Sequence, residues 1–351
     1  VRGGGRHETW QAPDGPGSLS REARFFAQSA KAGRSFEGAS YWNPPVKCGK
    51  PLVLAGGQVV GCGQCLPCRI GRRRTWSHRL ELEARGHKHV SFLTLTYADE
   101  HLPKESNGLA TLSPEDLRNF LKRVRKMMSP VRLRFFAVGE YGAITLRPHY
   151  HLVIFGYPPC RHYKTRAWKL YPKDKSLSGS CCTVCDAVNA SWGLGQIQVG
   201  TFSPESAQYV AGYVVKKMKD RMECLLEGRH PEFARMSNRP GIGAEFMDEV
   251  ASEFLKYDMS DQVDVPTSLQ GERGSLKPLG RYLVKRLRTR VGRDEKTPQA
   301  VVEQRDAEVF PVRLAARSSE KGLKTLLAEE QAGKLARAEA LEQIFKQRRE
   351  L

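Results

Sequence analysis

Two short segments, Leu133–Glu140 and His149–Phe155, separated by a loop containing Gly142 and Pro148, constrain this chain most. Both are of strand length and rich in aromatic and β-branched residues, so they read as neighbouring strands. A third strand is expected at Val90–Tyr97, where Phe92 and Thr94 alternate with Leu93 and Leu95. Helices flank them. Ser113-Pro114-Glu115-Asp116 is a helix start: the serine caps, the proline takes the first helical position, and the acids meet the positive end of the dipole. That helix carries Leu117, Phe120, Leu121 and Val124 on one face. Ser203-Pro204-Glu205 opens another, bearing Tyr209, Val210, Tyr213, Val214 and Lys217. Ile70, Trp76 and Leu80 are spaced for a helix with a basic outer face over Arg69–Glu83. The order helix, strand, helix, strand, strand, helix fits the α+β class, with a single antiparallel sheet and helices packed on one face.

The chain has 351 residues and a formal net charge of +19, which points to a polyanionic partner, nucleic acid before membrane. The longest apolar runs, such as Leu152–Phe155, are far short of the roughly 20 residues a membrane helix needs. The N-terminus lacks the apolar stretch of a signal peptide. A chain that opens on Val1 is expected to be an incomplete reading frame or a processed product. Residues 1–45, rich in Gly, Ser, Arg and Pro, read as a flexible basic arm. Residues 46–292 read as the main domain, with a loop at Val265–Gly274 and a basic stretch at Lys277–Gly292. Residues 293–351 read as a charged helical extension, with its helix expected over 318–351.

Within the main domain, Arg147-Pro148-His149-Tyr150-His151 sets two imidazoles two residues apart, on one side of a strand. Taken alone, such a pair is half a metal site, or else one core histidine and one exposed one. If Glu140 lies opposite His149 across the ladder, one carboxylate and two imidazoles share a face. An H-x-H-x-D zinc hydrolase would need Asp at 153, where Val153 stands. Tyr209 and Tyr213 are i and i+4 on one helix face, with Lys216 and Lys217 a turn further on. They are either half-buried helix residues or nucleophiles. A phenol with an ordinary pKa near 10 needs a polarised phosphate and a nearby cation to attack at neutral pH.

These segments, taken in order, resemble a known family. Phe92-Leu-Thr-Leu-Thr-Tyr97, Gly139-Glu-Tyr-Gly142 with Arg147-Pro-His-Tyr-His151, and Tyr209-x-x-x-Tyr213-x-x-Lys216 are similar to the three motifs of HUH endonucleases. The version is that of the replication initiators of Microviridae (gokushovirus-like) single-stranded DNA phages. The likeness extends to Cys62-Gly-Gln-Cys65, Trp192-Gly-Leu-Gly195 and Met236-Ser-Asn-Arg-Pro-Gly-Ile-Gly243, and covers roughly residues 46–290. It implies an HUH-like antiparallel sheet and a rolling-circle initiator that nicks and rejoins single-stranded DNA. It also implies one Mg²⁺ or Mn²⁺ held by His149, His151 and Glu140. Tyr209 and Tyr213 match the two nucleophile positions that form a 5′-phosphotyrosine and free a 3′-OH. Lys216 and Lys217 match the base that steadies phosphate charge. The resemblance does not decide which tyrosine attacks first; the closeness of Lys216 favours Tyr213. It assigns Phe92–Tyr97 no chemistry, and expects Tyr150 to point away from the metal face. The implied partners are phage origin DNA and the host polymerase and helicase, in the cytoplasm of the infected bacterium.

The nine cysteines form two groups: Cys48, Cys62, Cys65 and Cys68, and then Cys160, Cys181, Cys182 and Cys185, with Cys224 apart. Each group reads as a structural Zn²⁺ site or as free thiols. Arg72, Arg73 and Arg74 on the first basic helix are expected to contact phosphates, as are Arg118, Lys122, Arg123 and Arg125 on the next. Trp76, Tyr97 and Tyr141 are candidates for base stacking. The competing reading is a basic, zinc-stabilised nucleic-acid-binding protein, for packaging or regulation, without catalysis.

Overall fold

The structure is a computed structural model. It describes residues 48–329, apart from 56–58, 143, 161–181, 217–226 and 272–274, together with 331–333, 335, 336 and 340. The expected N-terminal arm, Cys181, the Lys216 side chain, Lys217, Cys224 and most of the chain beyond 329 lie outside the described residues.

A hairpin of β1 (Leu52–Val53) and β2 (Val59–Val60) leads into helix α1 (Leu66–Arg85). Then come β3 (Val90–Thr96), α2 (Pro114–Met128), β4 (Arg134–Tyr141) and β5 (Pro148–Phe155). After the undescribed stretch follow α3 (Thr183–Trp192), β6 (Ile197–Thr201), α4 (Pro204–Lys216) and β7 (Phe233–Met236). The five longer strands form one antiparallel sheet in the order β6-β3-β5-β4-β7, with β5 at the centre. The helix starts read from sequence are built as capped turns. Ser113 Oγ accepts from the Asp116 amide at 3.1 Å, and Ser203 and Ser206 bond reciprocally at the head of α4.

Helices cover both faces of the sheet, not one. On the first face Leu93, Leu95, Leu152 and Ile154 pack under α2 and α3 through Phe120, Val124, Val188 and Trp192. On the second, Phe136, Val138, Val153 and Phe155 pack under α1 and α4 through Leu80, Ala207 and Val210. The reason lies in β4 and β5, which are buried along nearly their whole length and so need apolar residues on both sides. Gly139 is required by the tight packing of the first face: a Cβ there would stand 2.9 Å from the Phe233 ring and 3.1 Å from Leu112.

Beyond the sheet, α5 (Phe246–Lys256) and α6 (Gly280–Arg290) pack on Leu82 of α1 as a further apolar cluster. The segment Val265–Gly274 is not all loop. Ser268–Gln270 (β8) pairs with Leu276–Pro278 (β9), because Leu269 and Lys277 stand opposite each other on a two-stranded ribbon beside α1. In the extension, helix α7 (Gln299–Arg317) ends just where the helix was expected to begin, and residues 323–329 are also helical. Val309 and Leu327 bury themselves against Val59 of the N-terminal hairpin. Among the described residues no helix is long and apolar enough to cross a membrane.

A buried ion pair ties α1 to the sheet. Arg134 of β4 donates to Glu83 of α1 and, at 2.9 Å, to the Pro240 carbonyl, while the Gly243 amide donates to Glu83 at 2.6 Å. The Met236–Gly243 motif therefore serves the scaffold. Both side chains are almost fully buried, so removing one leaves an uncompensated charge. Arg134→Ala should cost about 3–5 kcal/mol in urea unfolding. Glu83→Leu/Arg134→Met, which leaves no charge behind, should recover most of that loss.

Candidate active site

Alternation along β5 sends His149 and His151 to the second face while Tyr150 and Leu152 go to the first. In the ladder Glu140 of β4 stands opposite His149, and Thr94 of β3 stands opposite His151. Three strands thus bring four polar side chains to one end of an otherwise apolar face. Tyr150 points away from them: it is fully buried, and its hydroxyl lies 2.8 Å from that of Tyr97 and donates to the Ser113 carbonyl at 3.0 Å.

Both imidazoles turn Nε2 toward one carboxylate oxygen. Glu140 Oε1 lies 2.8 Å from His149 Nε2 and 3.0 Å from His151 Nε2. The other ring nitrogens are held from behind. His149 Nδ1 donates to the Arg147 carbonyl at 3.1 Å, and His151 Nδ1 lies 3.0 Å from Thr94 Oγ1. A ring that donates through Nδ1 leaves an Nε2 lone pair facing forward. Phe92 stacks flat on His151, with centroids 5.7 Å apart.

Two acceptors cannot face each other at 2.8 Å, so His149 Nε2 and Glu140 Oε1 share either a proton or a cation. Burial alone would lower the His149 pKa, but the hydrogen bonds to Glu140 and Arg147 outweigh it and raise it. Burial alone would raise Glu140; the hydrogen bonds and charge of His149 and His151 outweigh that and hold the carboxyl below its usual range. The donor set fits a divalent ion. Neighbouring ligands on an octahedral ion at about 2.1 Å lie about 3.0 Å apart, close to the 2.8 and 3.0 Å seen here. One carboxylate oxygen and two imidazole nitrogens on one side leave the remaining positions open.

Helix α4 lays its tyrosines over this set. Tyr209 OH lies 3.3 Å from His151 Nε2, and the Tyr213 ring lies nearly parallel to the His151 ring at 6.1 Å. The two tyrosine rings are 5.0 Å apart and nearly perpendicular. Lys216 closes the helix, three residues past Tyr213.

The basic residues divide between the two faces. Arg72, Arg73 and Arg74 are exposed on α1, which packs along α4 on the site's own face. Arg73 passes close to Gly212, between the tyrosines' helical turn and solvent: its Cδ would stand 3.8 Å from a Cβ at that position. Arg74 is partly committed, donating to the Leu276 carbonyl at 2.9 Å. Arg118, Lys122, Arg123 and Arg125 are exposed on α2, behind the sheet. Arg123 has a scaffold task there: its guanidinium donates to the Ser191 and Trp192 carbonyls at the end of α3. Of the three aromatic candidates, Tyr97 and Tyr141 are buried, and their hydroxyls donate to Asp116 and the His230 carbonyl. Trp76 is partly exposed, between the Arg79 guanidinium and Phe136.

Thr94 and Phe92 are the site residues the sequence reading passed over. The signal was present as polar Thr94 between Leu93 and Leu95, but its value depended on the pairing of β3 with β5. The cysteines gather in two places: Cys48 with Cys62, Cys65 and Cys68, and Cys160 with Cys182 and Cys185.

An ion at Glu140, His149 and His151 must displace the His149 proton. Because the His149 pKa is raised above its ordinary value near 6.5, Mn²⁺ affinity should climb as pH rises through neutrality, by up to about tenfold per unit, and then level off. The ion-free His149–Glu140 pair contributes the opposite trend. Its stabilisation is present below the unfolded histidine pKa and is lost as pH rises through the folded value. Calorimetric titration with Mn²⁺ from acid to mildly alkaline pH measures the first trend. A flat profile would show that His149 is not a ligand.

Comparison with known proteins gives this geometry a context. The chain is 32% identical over 205 residues to "Replication-associated protein ORF2" of Spiroplasma virus 4, covering 57% of this chain and 60% of that protein. It is 32% identical over 167 residues to "Replication-associated protein VP4" of Bdellovibrio phage phiMH2K, covering 45% and 48%. It is 29% identical over 202 residues to "Replication-associated protein ORF4" of Chlamydia phage 1, covering 56% and 47%. The alignments span about half to three fifths of these relatives' lengths. No solved structure matches. Residues 90–218, which run from β3 to the end of α4 and include every member of the Glu140–His149–His151–Tyr209–Tyr213 set, match the family described as replication-associated protein of the ORF2 type, and the chain is a relative of phage replication-associated proteins.

Proposed function

We propose that this chain starts rolling-circle replication of a single-stranded DNA phage genome by nicking origin DNA and rejoining it. The observation that carries the reading is the Tyr209 hydroxyl, 3.3 Å from the His151 nitrogen that faces the Glu140 carboxylate. The relatives' names, which speak of replication, support the biological setting.

A Mg²⁺ or Mn²⁺ ion held by Glu140, His149 and His151 would supply Lewis-acid polarisation of the scissile phosphate. The tyrosine does the rest. Its phenol oxygen bonds to phosphorus, and the bond from phosphorus to the 3′-oxygen breaks. The phenol proton is released to solvent, and the departing 3′-oxygen takes one up. The DNA 5′-phosphate stays on the chain as a phosphotyrosine. One phosphodiester replaces another, so a 3′-OH can attack the phosphotyrosine and seal the strand without an energy source. Lys216 or Lys217 balances charge on the phosphate. Tyr209 is the nearer nucleophile by the distances above, and Tyr213, one turn on, makes the second cut when the circle closes. The nicking unit is the 46–292 segment; the 293–351 extension carries none of the chemistry. Host polymerase would extend the freed 3′-OH, with a host helicase opening the duplex, in the bacterial cytoplasm.

Arg72 and Arg73, on the helix beside α4, are the side chains placed to grip the phosphates flanking the nick. Replacing both with alanine should make log K for a short single strand less salt-dependent by about 1.4, at about 0.7 per phosphate contact. A filter-binding salt series measures this, and an unchanged slope would place the strand elsewhere.

The decisive experiment is incubation with single-stranded phage origin DNA and Mn²⁺, followed by a denaturing gel. A covalent protein–DNA band is expected. Retarded DNA that is released on denaturation would instead favour the basic protein that binds without cutting. His149→Ala or His151→Ala should lower nicking by more than about 100-fold while leaving most DNA affinity in place, since arginines and lysines supply it. Tyr209→Phe should slow the first cut more than Tyr213→Phe does. The double variant should bind DNA and form no adduct. An adduct mapped by mass spectrometry to any other residue would refute the tyrosine assignment.

A further inference from the structure

The cysteines ahead of α1 have no part in the nicking chemistry, yet their arrangement is specific. Cys48, Cys62, Cys65 and Cys68 come from the start of the N-terminal hairpin, the turn after it and the first turn of α1. Their four sulfurs lie within 4.8 Å of one another, with Cys48 Sγ 3.6 Å from Cys65 Sγ. Four thiolates on one tetrahedral ion at about 2.3 Å stand about 3.8 Å apart. A four-iron cluster, with each cysteine on a different iron, would spread them more widely. All four are free thiols, so no pair of them is spent as a disulfide.

The backbone is arranged to receive negative sulfur. The Cys62 amide donates to Cys48 Sγ at 3.1 Å and the Lys50 amide at 3.4 Å. The Cys65 and Gln64 amides donate to Cys62 Sγ at 3.2 and 3.4 Å. Such bonds stabilise a thiolate that ligates a metal. Gly61 is a fitting member: a Cβ there would stand 3.3 Å from Cys68 Sγ. Helix α1 itself begins without a side-chain cap and without an acid in its first turn. A set of thiolates at that end would supply the missing negative charge.

We propose that Cys48, Cys62, Cys65 and Cys68 hold one structural Zn²⁺ ion that fixes the start of α1. Binding releases the thiol protons to solvent and leaves the ion closed, with no open position. The loop is also where the extension docks. Leu335 packs so closely on Gly49 that a Cβ there would stand 2.7 Å from it, while Val309 and Leu327 close on Val59. The ion therefore anchors the helix that carries Arg72 and Arg73, together with the seat of the C-terminal helices.

The test needs no DNA, and so succeeds or fails independently of the nicking proposal. The full chain, purified without chelator, is assayed for zinc and iron and then treated with a thiol alkylator with and without a strong chelator, with peptide-level mass spectrometry. At least one zinc per chain is expected. Cys62, Cys65 and Cys68, although only partly buried, should be alkylated at least tenfold faster once chelator is present. Cys62→Ser/Cys65→Ser should lose one zinc equivalent relative to the parent chain, which separates this group from Cys160, Cys182 and Cys185. Iron in place of zinc, or equal alkylation rates with and without chelator in zinc-supplied protein, would overturn the proposal. The alkylation comparison uses the unmodified chain and stands even if the double variant fails to fold.

Discussion

The position of β5 between β3 and β4 is the constraint on which the rest hangs. Side chains alternate with a period of two, so a register slip of one residue would send His149 and His151 to the opposite face and Tyr150 and Leu152 toward α4. The register is held from both sides. On the first face Tyr150, Leu152 and Ile154 fill the core under α2, and the Tyr150 hydroxyl bonds to the Ser113 backbone at the helix cap. On the second, Val153 and Phe155 are buried under α1 and α4. Apolar packing of half the strand therefore fixes where the polar half points. The tyrosine between the histidines is a pin of that register; its polar hydroxyl is satisfied far from the metal ligands.

Packing delivers the ligands, but it also leaves charge in a nearly water-free place. Glu140 is 3% exposed, and an isolated carboxylate there would be costly. Its neighbours turn this cost into a design. Thr94 and the Arg147 carbonyl hold the histidine rings from behind, so both forward nitrogens converge on one oxygen. A proton on His149 and a divalent ion are alternative ways to complete the same set. That is why ligand affinity and pH are linked at this site, and why the outer hydrogen bonds matter as much as the ligands.

Much of this was legible in the chain. The strand segments, the Ser-Pro-Glu helix starts and the His149/His151 pair can be read from local rules, because capping and alternation act over a few residues. Glu140 was readable conditionally, since only its partner across the ladder gives it meaning. Three features were not legible. Helices on both faces follow from how completely β4 and β5 are buried, and alternation within a single segment does not report that. Thr94 acquires its role through a strand more than fifty residues away in sequence. Arg123 looks like its neighbours on α2, yet it is aimed at the Ser191 and Trp192 carbonyls, which no periodicity reveals.

The division of basic residues between the two faces bears on how a strand of DNA can lie. The α1 arginines and the tyrosine helix share one side of the sheet, while Arg118, Lys122 and Arg125 lie on the other, beyond the sheet and the α2 layer. Packed layers are separated by about 10 Å each, well beyond hydrogen-bonding reach and beyond the Debye length at physiological salt. The two sets cannot hold the same few nucleotides. Contacts made by α1 are coupled to where a phosphate sits relative to Tyr209, because α1 and α4 pack directly on each other and both rest on Val153 and Phe155. Contacts made by α2 have no such coupling. Net charge alone makes every surface of this chain attractive to DNA; only the α1–α4 face converts that attraction into position.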